Sequence, residues 1–192
     1  NLVRDMEPNI LFFSDAGPGV RWVGNERGIA GETNWNTITA DTLFAGKPGI
    51  EKLLNTGDEN GTAWIPAEVD VSIRPGWFYH AEEDSLVKTP ERLFEIYLSS
   101  VGRGSTLLLN IPPDRRGLIH ENDLAALKGW REIMDREFAK NHALHAETVG
   151  NNYRGGLQNF APSNTTDGNK ETYWATDDGV TKGSLEISLS QN

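Results

Sequence analysis

Two stretches of this 192-residue chain gather carboxylates, cations and aromatic rings closely enough to do chemistry on a polar ligand. The first is Arg21-Trp22-Val23-Gly24-Asn25-Glu26-Arg27-Gly28, where Glu26 stands between two glycines that let a backbone approach a ligand. A carboxyl group against an aromatic wall can keep its proton near neutral pH and act as a general acid and base. The same residues also read as a solvated loop carboxylate paired with Arg21 or Arg27. The second stretch runs from Trp64 to His80. Its alternation puts Glu68, Asp70, Ser72 and Arg74 on one face of a strand, followed by Trp77, Phe78, Tyr79 and His80. Charges on a buried face must pair with one another or bind something polar. That leaves an internal ion-pair network around Arg74, or a sugar site in which flat rings meet C–H faces and charged groups meet hydroxyls. Glu32, Asn34 and Trp35 form a weaker third group, which also fits a surface turn with a core indole.

Other chemistries are excluded by residue type or context. There is no cysteine, and His142 and His145 lie apart from any carboxylate cluster with ligand spacing, so neither a metal site nor a cofactor is expected. Gly102-Arg103-Gly104 precedes a strand instead of opening a helix, which removes a phosphate cradle. A net charge of −10 opposes binding to nucleic acid. No apolar run approaches the roughly 20 residues of a bilayer span, so membrane insertion is not expected, and the first residues carry no signal-peptide core.

The elements that must position these residues alternate in type. Strand-like segments are expected at Asn9 to Ser14, Gly28 to Trp35, Ala63 to Ile73 and Ser105 to Ile111, each ending in a polar loop rich in Gly or Pro. Thr89 and Pro90 open a helix whose apolar face is Leu93, Phe94, Tyr97, Leu98 and Val101. Glu121 and Asp123 open another, with Leu124, Leu127, Trp130, Ile133, Met134 and Phe138 at helical spacing. Alternation of this kind argues for a parallel α/β sheet, either a small open sheet or half of a (β/α)8 barrel. After Asn141, Asn, Gly, Thr and Asp clusters replace helical periodicity up to a strand-like Ser184 to Leu189, which reads as the opening of a β-sandwich. The division expected is 1–140 and 141–192.

These segments carry a resemblance. Phe13 to Glu26 (Phe-Ser-Asp-Ala-Gly-Pro-Gly-Val-Arg-Trp-Val-Gly-Asn-Glu), Ala30 to Trp35, Pro66 to His80 and Ser100 to Asp114 together resemble the α-L-fucosidases of glycoside hydrolase family 29, in particular the subgroup acting on α-1,3/1,4-linked fucose. The resemblance implies the second half of a (β/α)8 TIM barrel over 1–140. Arg154-Gly155-Gly156, Thr166 to Ala175 and Ser184 to Ile187 resemble the start of a galactose-binding-like, discoidin-type β-sandwich (jelly roll) over 141–192. Implied by the same likeness are a retaining exo-glycosidase with Glu26 as acid/base, and Trp22, Glu32, Glu68, Arg74, Trp77 and His80 as residues holding fucose or the adjoining sugar. The family's Trp-Phe-Asp-Gly element, whose Asp is the nucleophile, does not occur in this chain. The expected partners are therefore a fucosylated oligosaccharide or glycoconjugate and the remainder of a parent polypeptide, in a periplasmic or secreted setting. The alternative is a fucose-binding or glycan-binding protein without catalysis.

Overall fold

A computed structural model gives the architecture and describes residues 2–15, 17–39, 43–44 and 46–189. Ala16 of the first resemblance segment lies outside the described residues. The chain divides into two units, Asn1–Arg136 and Glu137–Asn192. The seam falls in the last turn of a helix, about one turn before the change of composition after Asn141.

In chain order the first unit contains α1 (Leu2–Met6), β1 (Phe13–Ser14), β2 (Val20–Trp22), β3 (Thr37–Ile38), α2 (Glu51–Thr56), β4 (Ala63–Trp64), β5 (Ala67–Ser72), α3 (Pro90–Ser100), β6 (Thr106–Asn110) and α4 (Glu121–Glu137). Strands β1, β2, β5 and β6 form one sheet in that order, with every pairing parallel. β3 and β4 pair with each other antiparallel beside it. The second expected strand is misplaced: Gly28 to Trp35 is irregular, and its place in the sheet is taken by Val20–Trp22. Three residues are too few to show a period. The bonds that make them a strand come from outside the segment, Arg21 N–H donating to Pro66 O and Val23 N–H to Glu68 O.

Strand β5 decides the layering. Ala67, Val69 and Val71 point to one face and are buried, and Ile73 beyond the strand is buried as well. Val23, Ala30, Ala67 and Val69 make one apolar cluster, with Leu107 packed on it, while Ile73, Leu93 and Ala126 make a second that joins the sheet to α3 and α4. Helix α3 starts as its sequence demands, with Thr89 accepting from Arg92 N–H and Pro90 in the first turn. Its inward face is Leu93, Ile96 and Ser100; Leu98 and Val101 face outward. In α4 the buried positions are Asp123, Ala126 and Ile133, whereas Leu124 is exposed, as is Phe138 just past the helix end.

Two arginines are wholly enclosed. Arg21 donates through Nε to Leu54 O at 3.0 Å, through Nη2 to Asn34 Oδ1 at 2.8 Å and Trp35 O at 2.7 Å, and through Nη1 to Ile65 O. It therefore gathers α2, the segment before β3 and the start of β5 onto β2. Burial among carbonyls lowers its pKa to about 10, which still leaves it charged at neutral pH. Arg74 is the second, and its partners are acidic: Asp123 Oδ2 at 3.0 Å and Asp84 Oδ1 at 2.9 Å.

The second unit pairs β7 (Glu147–Gly150) with β8 (Leu185–Ser188) antiparallel. Between them the chain winds through short 3-10 turns pinned by side chains. Trp174 Nε1 donates to Asn152 O at 2.9 Å, and Asp177 accepts from Gly155 N–H at 2.7 Å and Asn152 Nδ2 at 2.8 Å. These bonds hold the Asp177 carboxyl below its ordinary pKa. Asp167 is likewise occupied by Asn169 N–H and Thr172 Oγ1.

Replacing Arg21 by Met keeps a long apolar stem but leaves its carbonyl partners buried without a donor. The expected loss of stability is more than about 3 kcal/mol. Denaturant unfolding of Arg21→Met checks this, and a loss below about 1 kcal/mol would show that the clamp is dispensable.

Candidate active site

The opposite face of the sheet carries the polar residues. Register pairs Trp22 with Glu68 and Ser72 with Asn110, so Trp22, Glu68, Asp70, Ser72 and Asn110 share one surface across β2, β5 and β6. Trp22 Nε1 donates to Asp70 Oδ1 at 2.7 Å. Among the described residues this face is not packed closed: Leu108, the register partner of Asp70 on β6, is 47% exposed. Glu68 and Asp70 lie two residues apart on this face. Partial burial, helped by the Asp70 charge, raises the pKa of Glu68 above the usual carboxylate range.

Glu26 sits past the C-terminal end of β2, on a turn bounded by Gly24 (φ 82°) and Gly28 (φ 72°). Asn25 closes the turn, its Nδ2 donating to Ile29 O at 2.9 Å and its Oδ1 accepting from Arg27 N–H at 3.1 Å. Gly28 N–H returns to the sheet at Asp70 O, 3.2 Å away. A side chain at Gly28 has no room: a Cβ there would lie 2.7 Å from Ile96 Cγ2 and 3.1 Å from Val71 Cγ1. From the other side, the loop after β5 brings Trp77, whose Nε1 donates to Glu26 Oε2 at 3.0 Å. Glu26, Asp70, Trp77, Phe78 and Asn110 line one open concavity of about 480 Å³. Its wall combines two carboxylates, an amide and two rings, the parts needed to grip a small polar molecule with an apolar side.

The residues expected from sequence separate into those that meet here and those that do not. Glu26 and Trp77 are hydrogen-bonded across 51 positions of sequence. Trp22 and Glu68 stand beside them on the sheet face. Arg74 is corrected. Its guanidinium is completely buried, with Asp123, Asp84 and His80 O as partners and the Tyr79 ring 4.8 Å away, so no ligand can reach it. Arg74 ties the loop after β5 to α4. Glu32 is not among the residues lining the concavity. Its segment lies beside the turn that precedes β6, through Asn34 Nδ2 to Arg103 O, Asn36 Nδ2 to Gly104 O and Arg103 Nη1 to Ala30 O. That is the N-terminal end of the sheet, opposite the end where Trp77 and Asn110 stand. His80 is exposed, 3.9 Å from Glu82, and does not line the concavity.

The sequence assigns no role to Asn110, and Phe78 enters only as one of the rings between Trp77 and His80. Asn110 ends the apolar run Leu107-Leu108-Leu109, and a polar residue closing an apolar run is the signal that marks it. Phe78 is 78% exposed, which no periodicity foretells.

A sequence model of the α-L-fucosidases matches residues 34–137. The chain belongs to the α-L-fucosidase family. It is similar to α-L-fucosidase 1 of Arabidopsis thaliana, 39% identical over 192 residues, which takes in 98% of this chain and 37% of the relative. Among solved structures it is similar to SpGH29, with a TM-score of 0.84, 39% identity, and coverage of 97% of this chain and 40% of that one. It is also similar to a Ruminococcus gnavus GH29 fucosidase solved in complex with fucose, with a TM-score of 0.77, 34% identity, and coverage of 91% and 35%. The α/β fold is thus that of glycoside hydrolase family 29 structures. The chain spans 37% of the length of the curated fucosidases it matches. Glu68, Trp77 and Asn110 lie inside the matched family span, and Glu26 lies ahead of it.

The Glu68–Asp70 pair supplies a check on the electrostatics of this face. Asp70→Asn is expected to lower the Glu68 pKa toward its ordinary value while burial keeps it somewhat raised, as read by carboxyl carbon NMR titration. In linkage terms, a raised folded pKa means that protonated Glu68 contributes stability below its unfolded pKa. That contribution is lost as pH rises through the folded value, and Asp70→Asn narrows the window. An unmoved Glu68 titration would refute the coupling.

Proposed function

We propose that this chain is the acid/base half of a retaining exo-α-L-fucosidase acting on terminal α-1,3/1,4-linked fucose of fucosylated glycans. The observation that carries the proposal is the Glu26 carboxylate, held by the Trp77 indole over an open polar and aromatic concavity at the C-terminal edge of a parallel sheet. In (β/α)8 enzymes the chemistry sits at that edge, on loops following the strands. Four parallel strands in chain order support a reading of 1–140 as the second half of such a barrel. The antiparallel β7–β8 pair supports 141–192 as the opening of a discoidin-type β-sandwich.

On this reading Glu26 protonates the glycosidic oxygen as the fucosyl C1–O bond breaks, and an Asp on a part of the polypeptide outside this chain takes C1. Glu26 then removes a proton from the water that releases fucose. The two carboxyl groups of a retaining pair stand roughly 5–5.5 Å apart. Trp77 and Phe78 offer rings to the apolar side of a 6-deoxy sugar, and Asp70 offers a partner to its hydroxyls. Trp22 and Glu68 complete the wall. The α-1,3/1,4 preference rests on the Val23-Gly24-Asn25-Glu26 likeness, and a periplasmic or secreted setting on the family. A non-catalytic fucose binder is the competing reading, since the nucleophile motif is not in this chain.

Glu26→Gln in the full-length protein should cut turnover of fucosides with poor leaving groups by about 10²- to 10⁴-fold and spare activated aryl fucosides, which need little protonation. Equal losses on both would remove the acid/base assignment, and inactivity of the unaltered protein with intact fucose binding would favour the binder. Trp77→Ala should weaken inhibition by fucose by about 1–3 kcal/mol through lost ring contact. Unchanged inhibition would refute that contact.

A further inference from the structure

Glu26 is exposed, on a turn between two glycines, and its carboxylate is aimed by an indole that itself sits on a loop. Something firmer must aim the indole. The loop after β5 is gripped at consecutive carbonyls by two side chains that face each other across the sheet. Asn110 Nδ2 donates to Trp77 O at 2.9 Å and to Ser72 Oγ at 3.1 Å. Ser72 Oγ in turn donates to Gly76 O at 2.7 Å and accepts from Arg74 N–H at 3.3 Å. The backbone joins in, with Ile73 N–H donating to Asn110 O at 2.9 Å. Both residues sit at the C-terminal ends of their strands in direct register, so the grip is built on the sheet itself.

We infer that Asn110, with Ser72, is a positioning residue for proton transfer, holding Trp77 so that its indole fixes which oxygen of Glu26 carries the proton. An indole N–H only donates. Bonded to Oε2, it favours the proton on Oε1, because in a neutral carboxyl the carbonyl oxygen accepts more strongly than the hydroxyl oxygen. The transfer then has one geometry. The proton passes from Oε1 to the glycosidic oxygen, which keeps the electron pair of the breaking C1–O bond, and Glu26 becomes a carboxylate. In the second step Oε1 takes the proton back from water. Without the grip, Trp77 is free to turn and the proton distributes over both oxygens, only one of which faces the substrate.

This inference rests on Glu26 being the acid/base, and the experiment separates the two. In the full-length protein, Asn110→Asp keeps the size of the side chain and removes the N–H donors to Trp77 O. It is expected to slow a fucosylated trisaccharide by about tenfold and a 2,4-dinitrophenyl fucoside by less than about threefold. Trp77→Phe, which keeps a ring and deletes the indole N–H, should show the same split. The double variant should lose little more on the trisaccharide than Trp77→Phe alone, because both changes cut one chain of contacts. Equal losses on both substrates, or fully additive losses, would overturn the role. If Glu26→Gln shows the leaving-group split and Asn110→Asp does not, the positioning role fails while the acid/base stands. If Glu26→Gln shows no split, the acid/base reading fails and the inference falls with it. Should Asn110→Asp not fold, Ser72→Ala, which releases Gly76, carries the same comparison.

Discussion

The guanidinium of Arg21 is the constraint on which the rest of the first unit depends. A cation buried with no carboxylate beside it among the described residues is expensive, and here the cost is offset by four acceptors drawn from three separate segments: Leu54 O, Ile65 O, and Trp35 O with the side chain of Asn34. Each belongs to a segment with little regular structure of its own. α2 is six residues long, and β3 and β4 are two each. Such pieces are too short to order themselves, and a planar fork of N–H groups supplies a common origin for them. Because Arg21 sits within β2, ordering these segments also sets the strand from which the Glu26 turn departs.

Strand β5 then divides the labour between stability and chemistry. Its buried residues alternate with Glu68 and Asp70, so the apolar side supports α3 and α4 while the polar side meets Trp22, Asn110 and solvent. The division holds only to the end of the strand. At Ser72 and Ile73 the chain turns, and Arg74, which strict alternation would add to the polar face, goes instead to Asp123 and Asp84 beside α4.

That departure shows where the sequence was legible and where it was not. α3 could be read from Thr89, Pro90 and its apolar spacing, α4 from its acidic start, and β5 from alternation, because in each the signal is local and spans several residues. The meeting of Glu26 with Trp77 was suggested only by residue type and resemblance, since 51 positions separate them. β2 was missed because Val20–Trp22 owes its conformation to bonds made with Pro66 and Glu68. Asp123 has the look of a charge placed to favour a helix start, yet it is fully buried against Arg74; only tertiary contact distinguishes the two uses. The segment of Glu32 runs beside the turn that precedes β6, away from Trp77, a placement that composition does not carry.

The close approach at Gly28 has a wider meaning. The turn bearing Glu26 ends against Ile96 and Val71 with no space for even a methyl group, so its backbone rests directly on the apolar interior. Ile96 is buried on α3 and does not line the concavity. A bulkier or smaller residue at that position would shift the foot of the turn and with it the reach of the carboxyl group. Interior volume and the placement of Glu26 are therefore inherited together in this protein: drift in an ordinary core residue is also drift in the position of that carboxyl group, and the two properties cannot evolve as separate traits.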